Sequence, residues 1–585
     1  MVRGEAVAKD GVRTFLRLMP YWWAHWRLLA VVCLCALVGI SVSVAAPVVI
    51  GRAVDVCVAV AAGGSADGLA WRLALLALLS VVALVAGWAQ DFCMTVVSQR
   101  VVTGLRARMM EHMMSLDVTF FDSNSRGDIM SRYSSDIEMI RDGMGQTLVQ
   151  MLTTLVSVVG MIVSMCALSP PLTLLVCVAL PVVVVLSRVV VARSRRLFVM
   201  QQEAHGRLNA LIEESVGGLR AVRVAGAERE WEARFAEANE AVRRVAMGAQ
   251  VNSGILMPLL RVLDNATYIL VAVVGGLLAL GGSVSVGVIQ SFLLYTRQFL
   301  RPVNMAAAQV GTFQAALAGA ERVFEVLDAR PSVAGRVGAG RAPSVVGRVD
   351  FEGVSFAYRP GEWVLRDVSF SASPGQVVAI VGATGVGKST LMNLLCRFYD
   401  VCGGRILIDG VDIREFDLRA LRRSIAVVPQ EAVLFSDTVA YNVAYGDTRR
   451  PARPDVADSV RRAMAEAFVL GLPDGYDTRL ANQGEALSDG QRQLLTIARA
   501  VHARAPILIL DEATSRVDTR TEALLHDAMA NLMRGRTCFV IAHRLGSLRA
   551  ADHILVLDGG RIVEQGSHDE LMRLGGLYRR LFRPS

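Results

Sequence analysis

The chain has 585 residues, 53% of them hydrophobic and 19% charged, with a mean hydropathy of +0.44 and a pI near 9.2. This is too long for one core and too apolar for an ordinary soluble chain, so several domains, one of them in a membrane, are expected. The net charge of +8 does not point to nucleic acid: Arg27, Arg106, Arg108, Arg188, Arg193, Arg195 and Arg196 flank apolar runs, where they suit anionic lipid headgroups, and no basic–aromatic stripe accompanies them.

Residues 1–27 interleave Phe15, Leu16, Leu18, Tyr21, Trp22, Trp23 and Trp26 with Arg and His, the pattern of a cytoplasmic interfacial helix. About 27 residues precede the first apolar run, and that run is of spanning length, so it reads as a span and not as a cleavable signal. Residues 28–329 are expected to form an all-α transmembrane domain. Six stretches in it, near 28–50, 69–92, 146–168, 172–191, 259–280 and 284–303, reach the roughly 20 apolar residues that cross a bilayer. Ser169-Pro170-Pro171 separates the third from the fourth, and Gly281-Gly282-Ser283 the fifth from the sixth. The short connections carry little charge beyond Arg52, Asp55 and Asp67. The long ones, 94–145 and 192–255, carry Arg and Glu at helical spacing, which places them and both termini in the cytoplasm as continuations of the spans. Inside the spans, Arg261 and Asp264 are three apart and able to pair, and Arg297 stands in the sixth; a water-lined substrate path fits, and so does a satisfied polar pair or a side chain snorkelling to the interface. The nine cysteines include no CxxC pair, and five lie in or beside apolar runs, where they read as small buried hydrophobes.

Residues 330–347 loosen into Ala, Gly, Pro, Ser and Arg, a linker. From 348 to 585 the pattern becomes that of a soluble α/β domain. A strand at 377–381 runs into Gly382-Ala383-Thr384-Gly385-Val386-Gly387-Lys388-Ser389-Thr390 ahead of a helical run, the strand–loop–helix setting that a P-loop requires. Its glycines let backbone N–H groups converge on phosphate oxygens, and the helix N-terminus adds a favourable dipole. All but two of the 61 basic residues are arginine, the exceptions being Lys9 and Lys388. A lone internal lysine in such a chain marks a place where a compact cation is needed, here at the β- and γ-phosphates. Ser389 offers a hydroxyl to Mg2+. A second apolar strand, 507–510, ends in Asp511-Glu512. A strand delivers its last residues to the phosphate edge of a parallel sheet, so Asp511 can hold Mg2+ through water and Glu512 can polarise the attacking water.

With Leu487-Ser488-Asp489-Gly490-Gln491, Gln430 in Val-Val-Pro-Gln, Asp518 in Ser-Arg-Val-Asp, His543 in Ile-Ala-His-Arg, and Tyr358, these elements resemble the ABC transporter ATPase family in its exporter-type half-transporter form. The membrane half resembles the same class at Phe120-Phe121-Asp122, at Gly127-Asp128-Ile129-Met130-Ser131-Arg132, at Glu213-Glu214 through Arg220, at 237–240, and at Ala320-Glu321-Arg322-Val323-Phe324. The resemblance implies a multidomain fold, a six-helix transmembrane domain followed by an α/β P-loop ATPase domain, with short loop helices docking on the ATPase. It implies ATP held by Tyr358 (under adenine), Gly382, Thr384, Gly385, Gly387, Lys388, Ser389, Thr390, Gln430 and Asp511, and by Ser488, Gly490, Gln491 and Asp518 of the opposite subunit. It assigns Mg2+ to Ser389, Gln430 and Asp511, and catalysis to Glu512, His543 and Lys388.

The implied function is ATP-driven export of an amphipathic substrate, a drug, lipid or related molecule, across the cytoplasmic membrane. It would proceed by alternating access in a homodimer or heterodimer of half-transporters. An ATP-gated channel or regulator and an importer of exporter fold share the architecture; a soluble DNA-repair or translation ATPase shares the nucleotide motifs and is excluded by the spans. Two positions depart from the family pattern. Asp489 replaces a signature glycine, either facing outward or weakening one site of a heterodimer, and Asn482 replaces a glutamate upstream.

Overall fold

The computed structural model describes residues 10–63, 67–331, 333, 345–447, 452–511, 519–542 and 548–581. Most of the linker at 330–347 lies outside them, as do the predicted site residues Glu512, Asp518 and His543. The chain divides into two units: Met1–Ser115 with Asn124–Ala329, and Leu116–Ser123 with Arg330–Ser585.

Apart from short turns, the described residues of the first unit are helical, because its spanning runs are apolar on every side and a helix satisfies its own backbone in lipid. Among the described residues, Trp26–Ala61, Leu69–Ser115, Arg126–Leu168 and Glu228–Leu280 are long and apolar enough to cross a membrane. The fourth and sixth predicted stretches lie on helices Pro170–Gly217 and Val286–Asp328, several of whose side chains are outside the described set. Leu69–Ser115 and Pro170–Gly217 run 47 and 48 residues, roughly 70 Å each at the α-helical rise, more than twice a bilayer's apolar thickness. Pro170 and Pro171 open a helix in its first turn, where their missing donors leave no bond unmade.

Asp55, read above as a loop charge, is still helical. It accepts from Ser285 Oγ at 2.8 Å and from Gly287 N at 2.6 Å, capping the start of Val286–Asp328. The two helices touch backbone to backbone: a Cβ on Gly287 would lie 2.0 Å from Gly51 O. Ser291 Oγ then donates to Pro47 O at 2.9 Å, and Tyr295 donates to Val44 O. Arg261 is exposed and Asp264 half-buried on Leu256–Leu280, and no ion pair joins them among the described residues. The Arg297 guanidinium lies 4.9 Å from the Tyr268 ring centre, a cation–π contact.

Helix Gly11–Trp23 has two apolar faces. One buries Leu18 and Trp22, sets Phe15 edge-on to Phe313 and pairs Arg17 with Asp328, so it docks on Val286–Asp328. The other leaves Val12, Leu16 and Trp23 exposed, as an interfacial helix does.

The segment resembling a first cytoplasmic loop meets the one resembling the exit from the last span through ion pairs. Asp136, almost fully buried, accepts two bonds from Arg322, at 2.7 and 2.6 Å. Arg132 reaches Asp128 at 2.9 Å and Glu325 at 3.1 Å. Arg132 and Asp136 open and close a π-helical turn. Arg322→Ala leaves the Asp136 carboxylate buried and unpaired, at an expected cost of about 3–5 kcal/mol. Thermal unfolding in nanodiscs checks this; a midpoint equal to the parent's would show that Asp136 reaches water without its partner.

In the second unit the strands are β1 Val349–Ala357, β2 Trp363–Ala372, β3 Val377–Val381, β4 Gly403–Ile408, β5 Val411–Asp412, β6 Ile425–Val428, β7 Ile507–Asp511, β8 Thr537–Ile541, β9 His553–Asp558 and β10 Arg561–Gly566. They form an antiparallel sheet, β2-β1-β4-β5, and a sheet of order β10-β9-β3-β8-β7-β6 whose inner strands are parallel. The parallel strands are buried on both faces, which is why they read as unbroken apolar runs. Val378, Ile380, Ile507, Ile509, Phe539 and Ile541 face one core with Phe351, Phe370 and Leu391. Ala379, Val381, Leu508, Leu510, Cys538 and Val540 face the other, with Leu494, Ile497 and Leu525.

Candidate functional site

The P-loop leaves the end of β3 and closes on helix Lys388–Leu395. Gly382, Gly385 and Gly387 take φ of 154°, 88° and 105°, a backbone region that side chains resist. Two of them also have no room for a Cβ, which would fall 2.4 Å from Leu557 O at Gly382 and 2.7 Å from Leu365 Cδ2 at Gly387. The loop is thereby pressed against its own domain at the helix N-terminus, the place from which backbone N–H groups serve an anion.

Lys388 is the first residue of that helix and is 7% exposed. Its Nζ donates to Gly382 O at 2.8 Å and to Ala383 O at 2.9 Å, so the ammonium is held over the loop by the loop's own carbonyls. Burial pulls it below the usual lysine value, and the Asp511 carboxylate opposes that shift. Thr384 and Ser389 are exposed, while Thr390 is buried beneath the loop.

Sheet order brings the P-loop, Asp511 and Gln430 to one edge. β3, β8 and β7 are successive parallel neighbours, with Ile380 opposite Ile541 and Ile541 opposite Asp511. The P-loop and Asp511 therefore emerge at the same C-terminal edge, the position where open α/β sheets bind ligands. Gln430 follows β6 beside β7 and is exposed. Ser389 hydroxyl and Asp511 carboxylate are hard oxygen donors, the type that Mg2+ accepts in ones and twos alongside phosphate oxygens. Among the described residues no cluster of three or more His, Cys, Asp or Glu offers a separate metal site.

Tyr358 is 48% exposed beyond β1, with its hydroxyl 3.2 Å from Thr390 Oγ1 and its ring edge-on to Phe356 at 4.9 Å. The hydroxyl and the ring contact hold Tyr358 in place while about half of the residue stays open to solvent. Ser488 caps helix Asp489–Ala503 in a reciprocal box with Gln491, and Gly490 is buried in its first turn. Asp489 is 54% exposed and paired with Arg492 one turn on. Arg492 had no role in the sequence reading, although its i,i+3 spacing from Asp489 was visible. Gln493 donates to Pro429 O at 3.3 Å, fastening this helix to the residue before Gln430.

Residues 29–303 match the model of the ABC transporter transmembrane region, and 365–515 match that of the ABC transporter. The chain is 38% identical over 583 residues to an uncharacterized ABC transporter ATP-binding protein of Bacillus subtilis, YfiC, covering 99% of this chain and 95% of the relative. The chain belongs to the ABC transporter family.

Among its ABC relatives are a fatty acid ABC transporter ATP-binding/permease protein of Mycobacterium bovis, 42% identical over 87% of this chain and 80% of its own. An ATP-dependent lipid A-core flippase of Pseudomonas fluorescens is 39% identical over 84% and 81%. The solved structure of a bacterial Atm1-family ABC exporter with ATP bound aligns over 95% of this chain and 97% of its own, with a TM-score of 0.75 and 31% identity. A helical transmembrane domain and an α/β ABC ATPase domain, fused in one chain, give this ABC protein the architecture of an ATP-driven exporter half.

Proposed function

We propose that two copies of this chain form an ATP-driven exporter of a lipid-like amphipathic substrate in the bacterial cytoplasmic membrane. The observation that carries the reading is the pairing, on one chain, of a P-loop built around Lys388 with a capped signature turn at Ser488. One chain supplies half of each of two composite sites, so ATP binding draws two ATPase domains together and hydrolysis releases them. Tyr358 stacks adenine; the P-loop N–H groups, Lys388 and Thr390 grip the phosphates; and Ser488 and Gly490 of the opposite copy close over the γ-phosphate. Ser389, Gln430 and Asp511 would hold Mg2+, which neutralises charge on the β- and γ-oxygens when bound. Glu512 polarises a water that attacks the γ-phosphorus, the P–O bond to ADP breaks, and the proton leaves through the glutamate; His543 steadies the γ-phosphate. The relatives that transport fatty acid and lipid A-core favour an acyl-chain substrate.

The Asp489–Arg492 pair favours the homodimer, because a carboxylate neutralised along its own helix exerts little repulsion on a phosphate. Asp489→Gly should therefore leave ATPase activity within about twofold, an exposed ion pair contributing well under 1 kcal/mol. A rise of an order of magnitude would show that the carboxylate faces the nucleotide. The functional test is translocation of fluorescent acyl-chain lipid in proteoliposomes. MgATP should drive labelled lipid into the leaflet protected from an external quencher, and identical leaflet populations with and without ATP would overturn the substrate reading.

A further inference from the structure

We propose that Arg297 and Tyr268 hold the singly charged oxyanion head group of an acyl-chain molecule, an inference that rests on the acyl-substrate reading above and narrows it. Helix Leu256–Leu280 has three faces. Leu260, Thr267 and Val271 are buried on one, and Leu260 and Val271 share a core with Phe292 and Phe299 of helix Val286–Asp328. Val262, Ile269 and Val273 are exposed on a second, as suits lipid. Arg261, Asp264, Asn265 and Tyr268 make the third, a stripe at i, i+3, i+4 and i+7. Arg297 is exposed on the neighbouring helix, its guanidinium 4.9 Å from the Tyr268 ring centre, and among the described residues it has no ion pair.

Depth decides what this arrangement can serve. At the α-helical rise, Tyr268 and Arg297 stand roughly 17 Å from the turn that joins their helices, near the middle of a bilayer's apolar layer of about 30 Å. A guanidinium at that depth is costly toward lipid, so it faces the protein interior or a wet cavity and calls for a counter-charge. The ring steadies the cation and leaves its in-plane N–H donors for a ligand. Two arginines against Asp264 leave the stripe and Arg297 a formal charge of +1, the complement of a monoanion. The guanidinium fork suits the paired oxygens of a carboxylate or a phosphodiester. Two turns beyond Tyr268 the helices close on each other, where a Cβ on Gly275 would lie 3.1 Å from Ile289 Cγ1. The polar stripe therefore runs from Arg261 to Arg297 and ends where the helices meet, which is where a head group would stop.

Photo-crosslinking of the full chain in phosphatidylcholine nanodiscs, titrated with diazirine-bearing palmitate and with the corresponding alcohol, tests this. In the parent protein palmitate should saturate at a concentration at least about tenfold below the alcohol, the difference expected of a charge-assisted bidentate contact. Arg297→Gln should lose that preference while its alcohol titration stays within about twofold of the parent's, which also shows that the variant is folded. Arg297→Lys should keep most of the preference, and Tyr268→Phe should keep it through the ring. Unlabelled palmitate and palmitoyl lysophosphatidylglycerol should both displace the palmitate probe, and the stronger of the two names the head group as carboxylate or phosphodiester. An Arg297→Gln protein that retains the preference overturns the proposal. A parent that saturates with both probes at equal concentration removes the head-group site and leaves the acyl-substrate reading standing; a parent that saturates with neither takes down both.

Discussion

Glu512→Gln should bind MgATP as tightly as the parent protein and hydrolyse it about 100- to 10,000-fold more slowly, the loss expected when a positioned general base becomes an amide. The expectation starts at β7, whose parallel register with β8 brings Asp511 to the edge where the P-loop opens. Glu512 is the next residue, and an amide of the same size cannot take up the water's proton. Because the substitution removes a transition-state interaction and leaves ground-state contacts alone, turnover should fall while affinity does not. Single-turnover hydrolysis with labelled ATP, alongside equilibrium binding, separates the two quantities. Parent-like hydrolysis would take Glu512 out of this role.

Lys388→Arg should lower ATPase activity by about 100-fold, comparable to removing one preorganised donor from a developing charge. In most positions of this chain an arginine is the ordinary cation. Here the ammonium fits between Gly382 O and Ala383 O, at 2.8 and 2.9 Å, with 7% exposure, in a loop where Gly382 and Gly387 are already in close contact with the domain. A planar guanidinium is larger and directs its donors in a fixed fork, so it cannot take three bonds from one point between loop and phosphate. Unlike Glu512→Gln, this change should also weaken MgATP binding, which titration of a fluorescent ATP analogue measures. Full activity with arginine would mean that charge, not shape, is what the site needs.

Much of this was legible because each element carries its own local signal. Apolar runs of spanning length marked the membrane helices, and the Ile507–Leu510 run marked a strand buried on both faces. The P-loop was legible because its glycines, lysine and flanking strand are contiguous, and the structure gives those glycines the positive φ that the reading required. Contacts between residues far apart in sequence were not legible. Asp55 looked like a loop charge, and only its distance to Gly287 shows it to be a helix cap. Asp136 and Arg322 are 186 positions apart, and neither residue's neighbours hint at the other. Arg297 left a polar path and a satisfied or snorkelling charge both open, and its contact with Tyr268 depends on the packing of two helices.

The most direct measurement is the ATPase activity of this chain purified alone in lipid nanodiscs, with mass recorded on the same sample and Glu512→Gln as control. The expected result is a dimer that hydrolyses MgATP steadily and loses that activity in Glu512→Gln. A monomer, or a dimer that binds MgATP without turning it over, would contradict the assignment of two copies of this chain as a complete exporter.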